Sequence, residues 1–201
     1  MQDKKALLHL SKDKVLKNLI KEHKVPYWKG EGDLFVDLVD SIISQQLSGK
    51  AAATIFQRFK DLYGKKFPTP DEILKTKDEI LRSVGLSRAK AIYIKALSQA
   101  VKDGSLNLKT LPGLDDETII VELTKIKGIG RWTSEMILMF SLGRPDIFSS
   151  GDLALCKAIY NLYGISPKDK AKIEVLSLTW SPHRSLASRY LWKSLEKVDK
   201  I

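Results

Sequence analysis

Apolar positions along this chain recur with the three- and four-residue spacing of a helix face, stretch after stretch. Leu34, Phe35, Leu38, Val39, Ile42 and Ile43 form one such stripe. Ala52, Ile55, Phe56, Phe59 and Tyr63 form another behind Ser48, a residue suited to capping a helix start. Ala89, Ile92, Tyr93, Ala96, Leu97 and Ala100 make a third, and Trp132, Met136, Met139 and Phe140 a fourth. Leu155, Ala158, Ile159 and Leu162, then Leu186, Tyr190 and Leu191, complete the series. Thr69-Pro70-Asp71-Glu72 reads as a helix start: a capping hydroxyl, a proline whose missing N–H costs nothing in the first turn, and two acids at the positive end of the dipole. Gly64, Gly85, Gly104 and Gly164 each follow a helical stretch, where a left-handed residue ends a helix. No segment alternates apolar and polar residues for long enough to make a strand. The pattern predicts an all-α fold, a compact bundle of amphipathic helices joined by short loops.

Composition narrows the class. A chain of 201 residues, 43% hydrophobic, suits one domain or two small lobes sharing a core. No apolar run nears the roughly 18 residues of a membrane span, and the N-terminus lacks the apolar stretch of a secretory signal. An intracellular monomer is expected, in the cytoplasm or nucleoid (or the nucleus of a eukaryote), with no membrane partner. The single cysteine, Cys156, excludes an internal disulfide and a four-cysteine cluster; His9, His23 and His183 are scattered, so no metal site is expected. Thirty-four Lys and Arg against twenty-four Asp and Glu leave a net charge of +10, spread along the chain rather than gathered in a tail. A folded basic face suits a polyanion such as nucleic acid.

The densest chemistry lies between Leu123 and Tyr160. Gly128-Ile129-Gly130 separates two helical stretches, one ending near Lys127 and one beginning at Arg131. Two glycines one residue apart let the chain turn sharply and bring bare N–H groups against a ligand. At the start of a helix those groups suit a phosphate. Ile129 between them would pin the turn to the core. An ordinary connection between helices would also use these residues. Twenty-two residues on (152 − 130), Asp152 follows Phe148-Ser149-Ser150-Gly151 and opens the next stripe. An acid there can cap a helix by accepting N–H bonds worth about 1 kcal/mol, and such a cap is compatible with catalysis.

Lys127-Gly-Ile-Gly-Arg-Trp-Thr133, followed at this distance by Gly151-Asp152, resembles the helix-hairpin-helix DNA glycosylase superfamily, and within it the 3-methyladenine DNA glycosylase II branch. Ile43-Ser-Gln-Gln-Leu-Ser48, Val84-Gly-Leu-Ser-Arg-Ala-Lys90 and Trp180-Ser-Pro-His-Arg-Ser185, with Tyr190-Leu-Trp192 beyond it, resemble further segments of that branch. The resemblance covers roughly residues 34 to 195. It implies two helical lobes, about 34–144 and 1–33 packed with 145–201, with a damaged base held in the cleft between them. The extra N-terminal β domain of larger members has no room here.

The roles that the resemblance implies for individual residues are set by the chemistry of base excision. A stacked base must be rotated out of the duplex, and a side chain must fill the gap. Gln45 or Gln46 and Leu86 are the candidates, although Leu86 could equally close a helix end and one Gln could brace neighbouring loops. Lys127, Gly128, Ile129, Gly130, Arg131 and Thr133 of the hairpin, with Ser87, complete the implied DNA-binding set. Asp152 is implied as the catalytic carboxylate that stabilises an oxocarbenium-like sugar and orients or deprotonates the attacking water. Trp132, Met136 and Trp192 are implied as the substrate pocket, whose aromatic faces suit electron-poor alkylated bases. Met136 stands where a relative carries a tyrosine. Members that also nick DNA place a lysine nucleophile two residues after the second glycine; here Trp132 stands there, so no Schiff base can form. Glu135, the nearest other carboxylate, reads as part of a solvated face. The implied partner is double-stranded DNA carrying damaged bases; no cofactor is required, and the hairpin carbonyls can hold a monovalent cation. The implied reaction is hydrolysis of the N-glycosidic bond of alkylated bases of the 3-methyladenine and 7-methylguanine type. The alternatives are the same fold acting on uracil, mismatched adenine or oxidised guanine, and a non-catalytic helix-hairpin-helix DNA-binding protein.

Overall fold

A computed structural model describes residues 4–26, 28–30 and 32–196, and every regular element among them is helical, as the spacing predicts. In chain order the helices are α1 (Lys4–Leu10), α2 (Lys14–Glu22), α3 (Leu34–Ser44), α4 (Gly49–Asp61), α5 (Pro70–Lys75), α6 (Asp78–Ser83), α7 (Arg88–Lys102), α8 (Asp116–Thr124), α9 (Arg131–Met136), α10 (Leu153–Tyr163), α11 (Lys170–Leu178) and α12 (Arg184–Lys193). A 3₁₀ turn occupies Leu111–Gly113 and a π-helical turn Ile137–Ser141. Among the described residues no helix is long and apolar enough to cross a membrane.

The local signals fall where expected. Ser48 caps α4, and Thr69 with Glu72 forms a reciprocal capping box at α5. Gly64, Gly85, Gly104 and Gly164 all carry positive φ. Two helices near the N-terminus, α1 and α2, lie outside the stripes read above, although Leu16, Leu19 and Ile20 of α2 also recur at helical spacing.

The chain divides into two compact units, Glu31–Ile137 and Met1–Gly30 with Leu138–Ile201. In the first, α7 packs on α3, α5 and α6, α3 on α4, and α8 on α9. Leu38, Ile42, Phe59, Ile73, Leu81, Ile94 and Leu97 are fully buried there. In the second, α10 and α2 pack on α12 around Leu16, Leu155, Ile159, Trp180 and Tyr190. Asp13 ties this unit's two chain segments together. Its Oδ1 accepts from the N–H groups of Val15 and Leu16, capping α2, while Oδ2 accepts from Tyr163 Oη and Trp180 Nε1, both at 3.0 Å. Burial, and then the Asp13 charge, pushes the Tyr163 phenol well above its usual range.

A second tie lies at a crossing of two glycines. A Cβ on Gly30 would come within 2.3 Å of Gly143 N, and one on Gly143 within 2.2 Å of Lys29 O; both residues have positive φ. Only bare backbone fits at this contact. Beside it, Trp28 Nε1 donates to the carbonyl of Phe140, and the Trp28 ring meets the Phe140 ring edge-on.

Candidate active site and nucleic-acid interface

Asp152 is the N-cap of α10 and is only 8% exposed. Its Oδ1 accepts from Leu155 N at 2.7 Å and from Trp192 Nε1 at 3.1 Å. The capping bond is the one the sequence predicts; the indole bond is not visible in the sequence. Two donors on one oxygen hold the carboxylate in a single orientation, with one of them on α12, forty positions away in the chain. The Trp192 ring in turn stacks on Phe140, with centroids 5.8 Å apart and 28° between planes.

Phe140 reaches that place through the π-helical turn. The sequence predicts one stripe of Trp132, Met136, Met139 and Phe140, which an unbroken α-helix would keep on one face. The wider turn from Ile137 shifts the register, so Met139 is buried at 3% while Phe140 is half-buried against Trp192 and Trp28. The bond from Arg144 N to Leu138 O, 2.9 Å, closes the end of this turn.

The segment from Arg144 to Asp152 is braced at several points within its unit. Ser185 Oγ donates to Arg144 O at 2.6 Å and accepts from Ile147 N at 2.9 Å. The Arg184 guanidinium and Ser181 hydroxyl converge on Asp146. Burial pushes the Asp146 pKa up, but these hydrogen bonds and the Arg184 charge outweigh it and hold the carboxyl below its usual value. Lys170 Nζ donates to Ser150 O at 2.7 Å and lies 3.2 Å from Cys156 Sγ. Trp180, in the segment matched to the pocket region, is 1% exposed and belongs to the core.

The hairpin lies in the other unit. Gly128 has φ +93, and a Cβ there would meet Tyr93 Cγ at 2.1 Å, so both conformation and space exclude a side chain. Gly130 differs: its φ is −99, and no atom lies within 4 Å of where a Cβ would point. Ile129 is 4% exposed, as a pin would be. The N-cap of α9 is Gly130, which has no side chain to cap the helix start.

Around the hairpin, Gln45, Gln46, Ser87, Lys90 and Tyr93 join Gly128, Ile129 and Gly130 in lining a cavity of about 480 Å³. Gln45 Nε2 donates to Gly128 O at 2.8 Å, so this glutamine is the brace, and a cation at the hairpin would share that oxygen with an N–H. Gln46 is exposed with φ +56, a left-handed conformation rare for a side-chain-bearing residue. Lys90 Nζ donates to the carbonyls of Ile43 and Gln45, both at 2.7 Å, and its pKa is lowered by burial. Those two oxygens end α3, where helix carbonyls lack intrahelical partners. Lys127 is exposed.

Four expectations need correction. Leu86 is 4% exposed and packs in its unit's core, so it closes the end of α6 and does not project as a wedge. Arg131 spends its guanidinium on Glu117, with two bonds of 2.9 Å, and on Glu135 at 3.1 Å, which takes it out of the phosphate-binding set. Glu135 itself is 8% exposed, not solvated. Thr133 is buried too, at 4%. Trp132 is 46% exposed and Met136 half-buried, both on α9.

A family model described as "HhH-GPD superfamily base excision DNA repair protein" matches residues 39–183. The chain belongs to this superfamily. DNA-3-methyladenine glycosylase 1 of Schizosaccharomyces pombe is 38% identical to this HhH-GPD chain, over 97% of the chain and 89% of the relative. The solved structure of the S. pombe 3-methyladenine DNA glycosylase in complex with abasic DNA matches with a TM-score of 0.84 at 35% identity, covering 94% of this chain and 96% of that one. A DNA-3-methyladenine glycosidase from Bacillus halodurans matches with a TM-score of 0.83 at 36% identity, covering 96% and 89%. The HhH-GPD match spans both the hairpin and Asp152. Lys90, Tyr93, Phe140, Trp28 and Lys170 were missed from sequence, because each acts through a partner more than ten residues away and carries no local signature.

Proposed function

We propose that this chain is a monofunctional DNA glycosylase that hydrolyses the N-glycosidic bond of alkylated bases, of the 3-methyladenine and 7-methylguanine type, in base-excision repair. The observation that carries the reading is the Asp152 carboxylate, fixed at a helix start by Leu155 N and Trp192 Nε1. As the glycosidic bond lengthens, positive charge grows on the sugar, and a carboxylate already held in place stabilises it without reorganising. The same oxygen pair can orient the attacking water. Alkylation at N3 or N7 leaves the purine cationic, so it departs without a dedicated acid. The relatives named for 3-methyladenine agree with this substrate class.

The hairpin supplies the grip. Backbone N–H groups at Gly130 and the start of α9, with Lys127, contact phosphate, and the remaining hairpin carbonyls can hold a monovalent cation. Gln46, exposed at the rim of the hairpin cavity, fills the gap left by the rotated nucleotide. Trp132, Met136 and Trp192 are the residues we assign to recognition of the base. With Trp132 where strand-nicking members carry lysine, the product is an intact strand with an abasic site.

Asp152→Asn tests the central claim. The variant should bind abasic-site DNA as the parent does while releasing 3-methyladenine from methylated DNA at least about 100-fold more slowly, as removal of a preorganised electrostatic group does. Unchanged release would sink the assignment.

A further inference from the structure

A cavity of about 390 Å³ lined in part by Trp28 lies entirely within the unit that holds Asp152. One wall is flat and apolar: the Trp28 ring, Met139 and Pro145. The rest is basic, with Arg144, Arg189 and His183 facing the space and no carboxylate among its lining residues.

Arg189 is the unusual member. Its side chain is half-buried, and among the described residues no acid forms an ion pair with it. Burial lowers its pKa, outweighing the opposing influence of Tyr190. Arginine keeps its proton even so, and a half-buried guanidinium outside any ion pair is a receptor for an oxyanion, which it can bind through two parallel hydrogen bonds.

Pockets of this size, apolar with a few convergent polar groups, are the usual form of a small-molecule site. We propose that this cavity binds a nucleotide as a ligand separate from the base under repair: the base ring lies against Trp28 and the phosphate is held by Arg189, with His183 beside it. Neither half suffices alone, since inorganic phosphate leaves the apolar wall bare and a nucleoside leaves Arg189 unpaired. The nucleotide can be free in solution or the 5′-phosphorylated end of a DNA strand.

Calorimetric titration with deoxyadenosine monophosphate, deoxyadenosine and inorganic phosphate tests the site. The monophosphate should bind at least about tenfold more tightly than either fragment, and Arg189→Gln should weaken it by about tenfold or more, the loss of a charge-assisted bond. Arg189→Lys should keep part of the affinity. Thermal melting checks that each variant folds; if Arg189→Gln melts early, His183→Gln makes the same test. Phosphate binding as tightly as the monophosphate would overturn the proposal, as would binding indifferent to Arg189. So would binding abolished by Trp132→Ala but kept in Arg189→Gln, which would place the ligand in the base pocket. A 5′-phosphorylated dinucleotide separates the sources: equal binding assigns the site to strand ends and weaker binding to free nucleotides, and either keeps the site.

Discussion

Replacing Trp192 with phenylalanine removes one atom group of consequence, the Nε1–H that meets Asp152 Oδ1 at 3.1 Å, and keeps a ring to stack on Phe140. A hydrogen bond to a charged group contributes about 1.5–3 kcal/mol. Leu155 N still donates to the same oxygen at 2.7 Å, so Asp152 keeps its cap and loses only the donor that fixes its rotation from the α12 side. The lower end of the range applies, and about 1.4 kcal/mol per tenfold gives a single-turnover rate lower by about 10-fold. Stability should fall by only about 1 kcal/mol, the cost of trimming a half-buried ring. The assay is single-turnover release of 7-methylguanine from a defined duplex, beside affinity for abasic-site DNA, which should hold. Trp192→Ala provides the control, since it removes both stacking and hydrogen bond. If Trp192→Phe excises at the parental rate while Trp192→Ala is slow, the ring alone matters, and the indole–carboxylate bond has no part in positioning Asp152.

The two hairpin glycines should separate. Gly128→Ala, forced against Tyr93 at positive φ, should lower thermal stability, whereas Gly130→Ala should melt like the parent but bind DNA of every sequence more weakly; equal melting losses would refute the distinction. Asp13→Ala removes a helix cap and the acceptor of two buried donors, so urea unfolding should show a loss of about 2–4 kcal/mol, and a loss below about 1 would discount the tie. Asp146 has a depressed pKa, so its stabilisation is present above the unfolded value of about 3.9 and lost as pH falls through the folded one. The stability gap between the parent and Asp146→Asn should therefore be full at neutral pH and shrink below about pH 4; a gap constant with pH would show that Asp146 is not the titrating group. Borohydride should trap no protein–DNA adduct, and a covalent band would refute the hydrolytic reading of Trp132.

Much of this molecule was legible in the order of its residues, and the limit is physical. Helix starts and stops depend on neighbours within one turn, so Ser48, the Thr69–Glu72 box and the terminal glycines could be read directly. The cap at Asp152 was legible for the same reason. The Trp192 bond, the Phe140 stack and the Lys90 clamp join positions tens of residues apart, and periodicity carries nothing about them. The wide turn at Ile137–Ser141 was not legible, because apolar spacing alone does not distinguish it from an α-helical turn. Arg131 misled because a basic residue beside a hairpin serves Glu117 as readily as phosphate.

The crossing of Gly30 and Gly143 bears on how the molecule is made. The unit containing Asp152 is assembled from the two ends of the described chain, with the whole of the other unit lying between them in sequence. On the ribosome, residues 31–137 emerge as a continuous stretch and can fold at once, while the first thirty wait for partners that are synthesised last. The hairpin unit is thus complete in sequence before Asp152 has a structure to sit in. Pulse proteolysis of stalled nascent chains should find the hairpin unit protected early, and the N-terminal segment cleavable until the stretch carrying Gly143, Tyr163 and Trp180 has cleared the exit tunnel.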